Sequence, residues 1–204
     1  MKYNITPLIV CLFISTYCLG QTKVIGECSL QFSITQQKEG LWTALGSKKI
    51  FIKGSQCKTI FNSPYLQQTL IFNLQEDSAL VLKEIGQSKF LQTIKYPPLN
   101  GMDLISMKAI HPDSTIIIKG YLCKELEMQW ADGSVYEVIY TTEIIPTVPN
   151  YELAFKEVPG LVMAYTVKSP NGVIVKYELN QIDLNPITLS QFEVNKSIYQ
   201  IIEK

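Results

Sequence analysis

From Glu27 to Thr35 the chain alternates without interruption: Cys28, Leu30, Phe32 and Ile34 fall on one side, and Glu27, Ser29, Gln31, Ser33 and Thr35 on the other. A period of two marks a strand with one face on a core and one in water. The first half continues in this manner. Residues 48–53 and 56–62 flank Gly54-Ser55 and predict a hairpin. Residues 69–74, 79–85 and 89–94 predict three more strands, punctuated by Gln75-Glu76-Asp77-Ser78 and Gly86-Gln87.

The rhythm breaks over residues 96–113 (YPPLNGMDLISMKAIHPD). Pro97, Pro98, Gly101 and Pro112 bracket residues 102–110, which read as a short helix or a mobile crossover dividing two halves of one domain. The strands then resume. Residues 114–119 lead through Gly120 into 121–130, Ala131-Asp132-Gly133-Ser134 predicts a turn, and 135–142 return. The connection 143–160 holds Pro146, Pro149 and Pro159 and reads as a loop with one turn of helix near Glu152. Residues 161–168 and 173–184 are joined by Ser169-Pro170-Asn171-Gly172, and Asn-Gly between apolar runs is the sequence cue for a type I′ hairpin. The tail predicts a short helix over 190–192 and a last strand over 199–202.

These elements define a mainly β fold: a single curled antiparallel sheet, a half-barrel, with few short helices. Roughly ten strands joined by hairpins exceed what a flat sheet can hide on one side, so the sheet has to curl. One internal echo stands out. Ile50-Phe51-Ile52-Lys53-Gly54-Ser55-Gln56-Cys57-Lys58 parallels Ile116-Ile117-Ile118-Lys119-Gly120-Tyr121-Leu122-Cys123-Lys124. It reads either as a chance likeness of two Ile-rich hairpins or as two hairpins in related positions of the sheet.

The N-terminus adds an address. Lys2 precedes the apolar run 8–17 (LIVCLFISTY), which is too short for a bilayer, where ~20 residues are needed. Cys18-Leu19-Gly20 follows with small residues at the cleavage positions, so residues 1–20 read as a signal peptide cut after Gly20. Residues 21–204 then form one domain, exported to the periplasm or beyond the cell, with no transmembrane span expected. Lipidation of Cys18 is the rival reading. Ser15 and Tyr17 stand where that site wants an aliphatic and a small residue.

Composition is globular, 47% hydrophobic and 18% charged. Eighteen basic residues balance eighteen acidic ones, which argues against a nucleic-acid partner. Every basic residue is Lys, so the planar fork that Arg offers to phosphate or carboxylate is missing; a coding bias that also favours Ile, Asn and Tyr is the plainer reason. Export places Cys28, Cys57 and Cys123 in an oxidising compartment, where one pair can bridge. The echoed hairpins make Cys57 with Cys123 the first choice and leave Cys28 free, provided the two Cα atoms come within ~7 Å.

The second half carries a further pattern: Gly120-Tyr121-Leu122-Cys123-Lys124, Asp132-Gly133, Tyr140-Thr141-Thr142-Glu143-Ile144-Ile145-Pro146, then Val158-Pro159-Gly160-Leu161-Val162. From about residue 114 to 184 this resembles the bacterial secreted GLPGLI-type families of unknown function. Such proteins are similar in fold to lipoprotein-carrier (Lol-type) half-barrels. The resemblance implies an envelope or exported protein with an apolar concavity, and no reaction. Here the motif reads Val-Pro-Gly-Leu-Val, a departure from the family's pattern.

A search for chemistry finds little. His111 is the sole histidine, and the cysteines are far apart, so no metal site or other cofactor is expected. No Gly-x-Ser-x-Gly elbow and no phosphate-cradling Gly-rich loop occur. Cys123 has Lys119 and Lys124 near it in sequence, which leaves a thiol-redox enzyme as a third reading, behind a structural cysteine. Glu125 and Glu127 share one side of a strand with Cys123 and Gln129, opposite Leu122, Leu126, Met128 and Trp130, as a solvated face does. The apolar rows Leu30/Phe32/Ile34, Tyr136/Val138/Tyr140 and Met163/Tyr165 with Val175/Tyr177 read as core. If no helix plugs the concavity, part of it can stay open as a pocket. The expectation is therefore a non-enzymatic exported protein that binds an apolar ligand, such as an acyl chain, or an envelope partner. The alternative is a structural or interaction protein with a filled core.

Overall fold

The computed structural model describes residues 22–97 and 103–202. The expected signal peptide with Cys18, and Pro98 and Gly101 of the divider, lie outside the described residues. The described strands are β1 (Lys23–Ile25), β2 (Glu27–Lys38), β3 (Leu41–Lys53), β4 (Gln56–Asn62), β5 (Gln67–Asn73), β6 (Ser78–Ile85) and β7 (Ser88–Lys95), then β8 (Leu104–Ile110), β9 (Ile116–Ile118), β10 (Tyr121–Trp130), β11 (Val135–Thr141), β12 (Ile144–Pro146), β13 (Leu161–Lys168), β14 (Ile174–Asp183) and β15 (Gln200–Ile201).

One open sheet of thirteen strands runs in the order β15-β7-β6-β5-β4-β3-β2-β14-β13-β11-β10-β8, with β9 also paired to β10. The curled, mainly antiparallel sheet with few helices is thus present. Its two meanders meet where β2 pairs with β14. That double pairing explains the length of β2: it lies against β3 over its whole length and against β14 over most of it. Bulges at Ile34/Thr35, Ile139/Tyr140 and Leu179/Gln181 add twist and bend the sheet. At the first of them Gly46 stands opposite Ile34, where a Cβ would lie 2.1 Å from the Asn62 carbonyl oxygen.

Three elements differ from the sequence reading. Residues 104–110 form strand β8, not a helix or crossover, because β10 offers a complete pairing edge from Glu125 to Trp130. The strand expected from residue 48 begins at Leu41 and pairs with the far end of β2. The hairpin between β13 and β14 closes on Ser169 and Val173 around Pro170-Asn171-Gly172, a three-residue loop with Gly172 at φ 82°, not a two-residue type I′ turn. The tail follows the reading, with a 3-10 turn at Leu189–Phe192 and the short strand β15, which lies parallel to β7; a further 3-10 turn at Lys196–Ile198 stands between them.

The expected loop over 143–160 turns inward and becomes core. Strand β12 pairs in parallel with β1, and a 3-10 turn at Leu153–Phe155 follows. Ile144, Val148, Tyr151, Ala154, Phe155 and Val158 are all buried. This strap lies across the inner face of the sheet. Its first part packs with Cys28, Leu30, Ile50, Ile52 and Leu161, and its second with Leu126, Met128, Val138, Val162 and Tyr165. The strap re-enters the sheet through Gly160, where a Cβ would sit 2.0 Å from the Thr141 carbonyl oxygen; only glycine lets the two backbones approach so closely. The tail instead covers the outer face. The Lys58 ammonium donates to the Gln191 carbonyl at 2.7 Å, the Tyr199 hydroxyl donates to Glu84 at 2.7 Å, and the outer row Thr69, Leu82 and Leu91 is buried. No helix among the described residues is long and apolar enough to cross a membrane.

Candidate functional site

Cross-strand register sorts the inner face of β3–β7 into three rows. Ile52, Cys57, Phe72, Ala79 and Ile94 form the first; Ile50, Thr59, Leu70, Val81 and Gln92 the second; Lys48, Phe61, Gln68, Lys83 and Phe90 the third. The strap covers the first row, where Cys57 donates to the Tyr151 carbonyl, and stops short of the rest. Leu70, Val81 and Ile94 are left half-buried, and between them and the strap lies a groove of about 300 Å³, walled by Tyr96, Tyr151, Glu152 and Leu153. A second hollow of about 260 Å³ shares Lys48, Thr59, Gln68 and Leu70 with it and extends to Phe61 and Tyr177. The combined size falls in the range of small-molecule sites.

At the boundary between filled and open core sits a polar cluster. Lys48 occupies an inner position of β3, directly opposite Phe32, and its side chain is 9% exposed. Its ammonium pairs with Glu152 of the strap and donates to the Tyr165 hydroxyl at 3.1 Å. The Tyr165 hydroxyl in turn donates to Glu152 at 3.2 Å. Tyr165 and Tyr177 stack at 4.2 Å with an interplanar angle of 10°, and Lys48 lies 5.6 Å from each ring centroid. A buried charge needs such a shell, because an unpaired one costs several kcal/mol. Burial, reinforced by the Glu152 charge, holds the Tyr165 phenol well above its usual range and pushes Tyr177 up to about 12. Both phenols are therefore neutral hydrogen-bonding groups at ordinary pH. The sequence reading missed this cluster, although Lys48-x-Ile50-x-Ile52 places a lysine on the apolar side of an alternating strand.

Among the described residues no two cysteines bridge. All three thiols are free and buried, and the Cys57–Cys123 pair expected from the echoed hairpins is absent. The echo is displaced by a residue: the first hairpin turns on Gly54-Ser55 and the second on Lys119-Gly120, so Cys57 faces Ile52 while Cys123 faces Ile116. Cys57 donates to the Tyr151 carbonyl of the strap and Cys123 to the carbonyl of its neighbour Tyr121. Burial pushes the Cys28 and Cys57 thiols up to about 12 and raises that of Cys123 as well, opposite to the shift that activates a nucleophile.

The remaining candidates stay apart from the groove. His111 lies in an exposed turn at φ 49°. Glu125 and Glu127 lie on the outer face, where Glu127 stands between Lys108 of β8 and Glu137 of β11. Among the described residues no three His, Cys, Asp or Glu side chains gather as metal ligands would.

No family model and no curated protein matches the chain. Solved structures do. The chain is similar to PNGF-II at 13% identity with a TM-score of 0.51, over 86% of this chain and 31% of that one. It thus spans about a third of PNGF-II, and the likeness is one of fold. It is also similar to a DUF1329 family protein from Desulfovibrio piger (10% identity, TM-score 0.43, 85% of this chain and 92% of that one). A third match is a LolA superfamily protein from Nitrosomonas europaea (8% identity, TM-score 0.39, 83% and 90%).

Proposed function

We propose that the chain is an exported, non-enzymatic binding protein of the cell envelope that buries the apolar part of a ligand in the inner groove of its open sheet. One observation carries this reading: the strap fills the inner face over β10–β14 but leaves Leu70, Val81 and Ile94 half-buried around a groove of about 300 Å³. A closed core would have covered those side chains, since buried apolar area is the main stabilising term. Export rests on residues 1–20 and on the GLPGLI-type resemblance of residues 114–184.

The test is uptake. Protein purified without detergent is expected to carry or acquire an apolar ligand in native mass spectrometry, and to enhance the fluorescence of an acyl probe. Val81→Trp, which fills the groove, should abolish uptake with the fold intact by circular dichroism. Wild-type protein that neither carries a ligand nor takes up the probe would overturn the reading. A second reading, an interaction protein, is favoured by edge strand β8, where Ile105 and Met107 are exposed. A stable partner captured through β8 by a protein that takes up no ligand would support it.

A further inference from the structure

The groove has a direction. Its first row is apolar and closed by buried Phe72, Ala79 and Tyr96; its third interleaves Lys48, Gln68 and Lys83 with Phe61 and Phe90. From Cys57 to Phe61 is four residues, about 13 Å along a strand. Charge follows the same axis. Among the described residues lining the groove, Glu152 is the one carboxylate, and it is already held by Lys48. Lys48 spends two of its three protons on Glu152 and Tyr165 while lining the groove, and the third has no acceptor among the described residues. Lys83 is exposed on the same row, directly opposite Gln68, and no described carboxylate pairs with it. Elsewhere in the meander Lys89 pairs with Glu84 and Lys53 with Glu27, Lys58 donates to the Gln191 carbonyl and Lys49 lies over the Phe51 ring; Lys83 is the exposed lysine that stands on the groove's own third row.

Resting on the binding function above, we infer that the ligand is a single-chain anionic amphiphile, its tail on Leu70, Val81 and Ile94 and its negative head at the Gln68–Lys83 mouth. A groove of about 300 Å³, adjoined at its Lys48 and Gln68 end by the hollow of about 260 Å³, suits one chain and not a two-tailed lipid. The head meets one unpaired ammonium, one amide donor and the spare proton of Lys48, a set that favours a carboxylate or phosphate over a cation.

Three twelve-carbon probes separate the possibilities: dodecanoate, dodecanol and dodecyltrimethylammonium, each displacing a fluorescent acyl probe at low salt and below micelle-forming concentrations. Dodecanoate should bind about tenfold more tightly than dodecyltrimethylammonium and weaken with added salt, whereas dodecanol should not respond to salt. Lys83→Gln should remove most of the dodecanoate advantage and leave dodecanol binding unchanged. Equal binding of dodecanol and dodecanoate, tighter binding of the cation, or an unchanged ranking in Lys83→Gln would overturn the anionic head while leaving the binding function standing. Failure of all three probes to bind would overturn both.

Discussion

In the half of the sheet built from β10, β11, β13 and β14, the inner face is filled and the outer face is bare. Phe155 of the strap lies edge-on to Tyr165 at 4.7 Å and to Tyr136 at 6.2 Å, while Glu137, Lys168, Lys176 and Glu178 pair across the outside. In the half built from β3–β7 the assignment reverses. The tail lies across the outer face, Phe192 among Ile71, Leu80 and Thr93, and the inner face keeps a groove. A curled sheet has two apolar surfaces to cover and this chain supplies two covers, one from within and one from its end. The cover that is missing marks the open site.

The largest expected effect tests that asymmetry directly. Phe155 is 1% exposed, so Phe155→Ala should cost about 3–5 kcal/mol in urea unfolding. Leu70→Ala, at an inner position of the open half, should cost only about 1 kcal/mol, because a half-buried side chain loses less transfer energy and leaves no sealed cavity. Equal costs would mean that the two halves are equally filled, and the groove would lose its standing as a site.

Much of this arrangement was legible beforehand. The alternation of Cys28, Leu30, Phe32 and Ile34 predicts the inner face of β2, and all four are buried. The hairpin turn at Gly54 falls where the sequence places it. The strap was not legible, because Ile144, Val148, Tyr151 and Phe155, although spaced by four, three and four as on a helix, are interrupted by Pro146 and Pro149, which signal a loop. A segment can be irregular and still be core when its backbone groups find partners, as the Thr147 amide finds the Ile25 carbonyl and the Phe155 amide the Glu152 carbonyl, each at 2.9 Å. Strand β8 was hidden for a similar reason: its pairing partner, and not its own pattern, makes it a strand. The polar cluster needed three distant segments, around Lys48, Glu152 and Tyr165, to be brought together.

The Lys48–Glu152 pair joins the two halves, and breaking it comes next in size. Glu152→Gln leaves the buried Lys48 ammonium without its counter-charge and should cost about 3 kcal/mol. The double variant Lys48→Met with Glu152→Leu should recover most of that loss, since replacing both charges by apolar groups removes the desolvation cost as well. If Glu152→Gln is harmless, the strap is not anchored by this pair and its edge along the groove must be set by Phe155 and Tyr151 alone.

The smallest effect sharpens the contrast from the bare outer face. Glu127 stands directly opposite Glu137, and like charges in that position repel by about 0.2–1 kcal/mol. Lys108 opposite Glu127 and Lys168 paired with Glu137 offset part of this, in a place where water and salt screen all four groups. Glu127→Gln should therefore be neutral or stabilising by at most about 0.5 kcal/mol, with the gain fading as salt is added. A loss above about 1 kcal/mol, unaffected by salt, would mean that Glu127 is a working part of a built site rather than one rung of a solvated ladder. The polar chemistry of this protein would then have to be sought on the outer face, and the division of the sheet into a filled half and a binding half would fail with it.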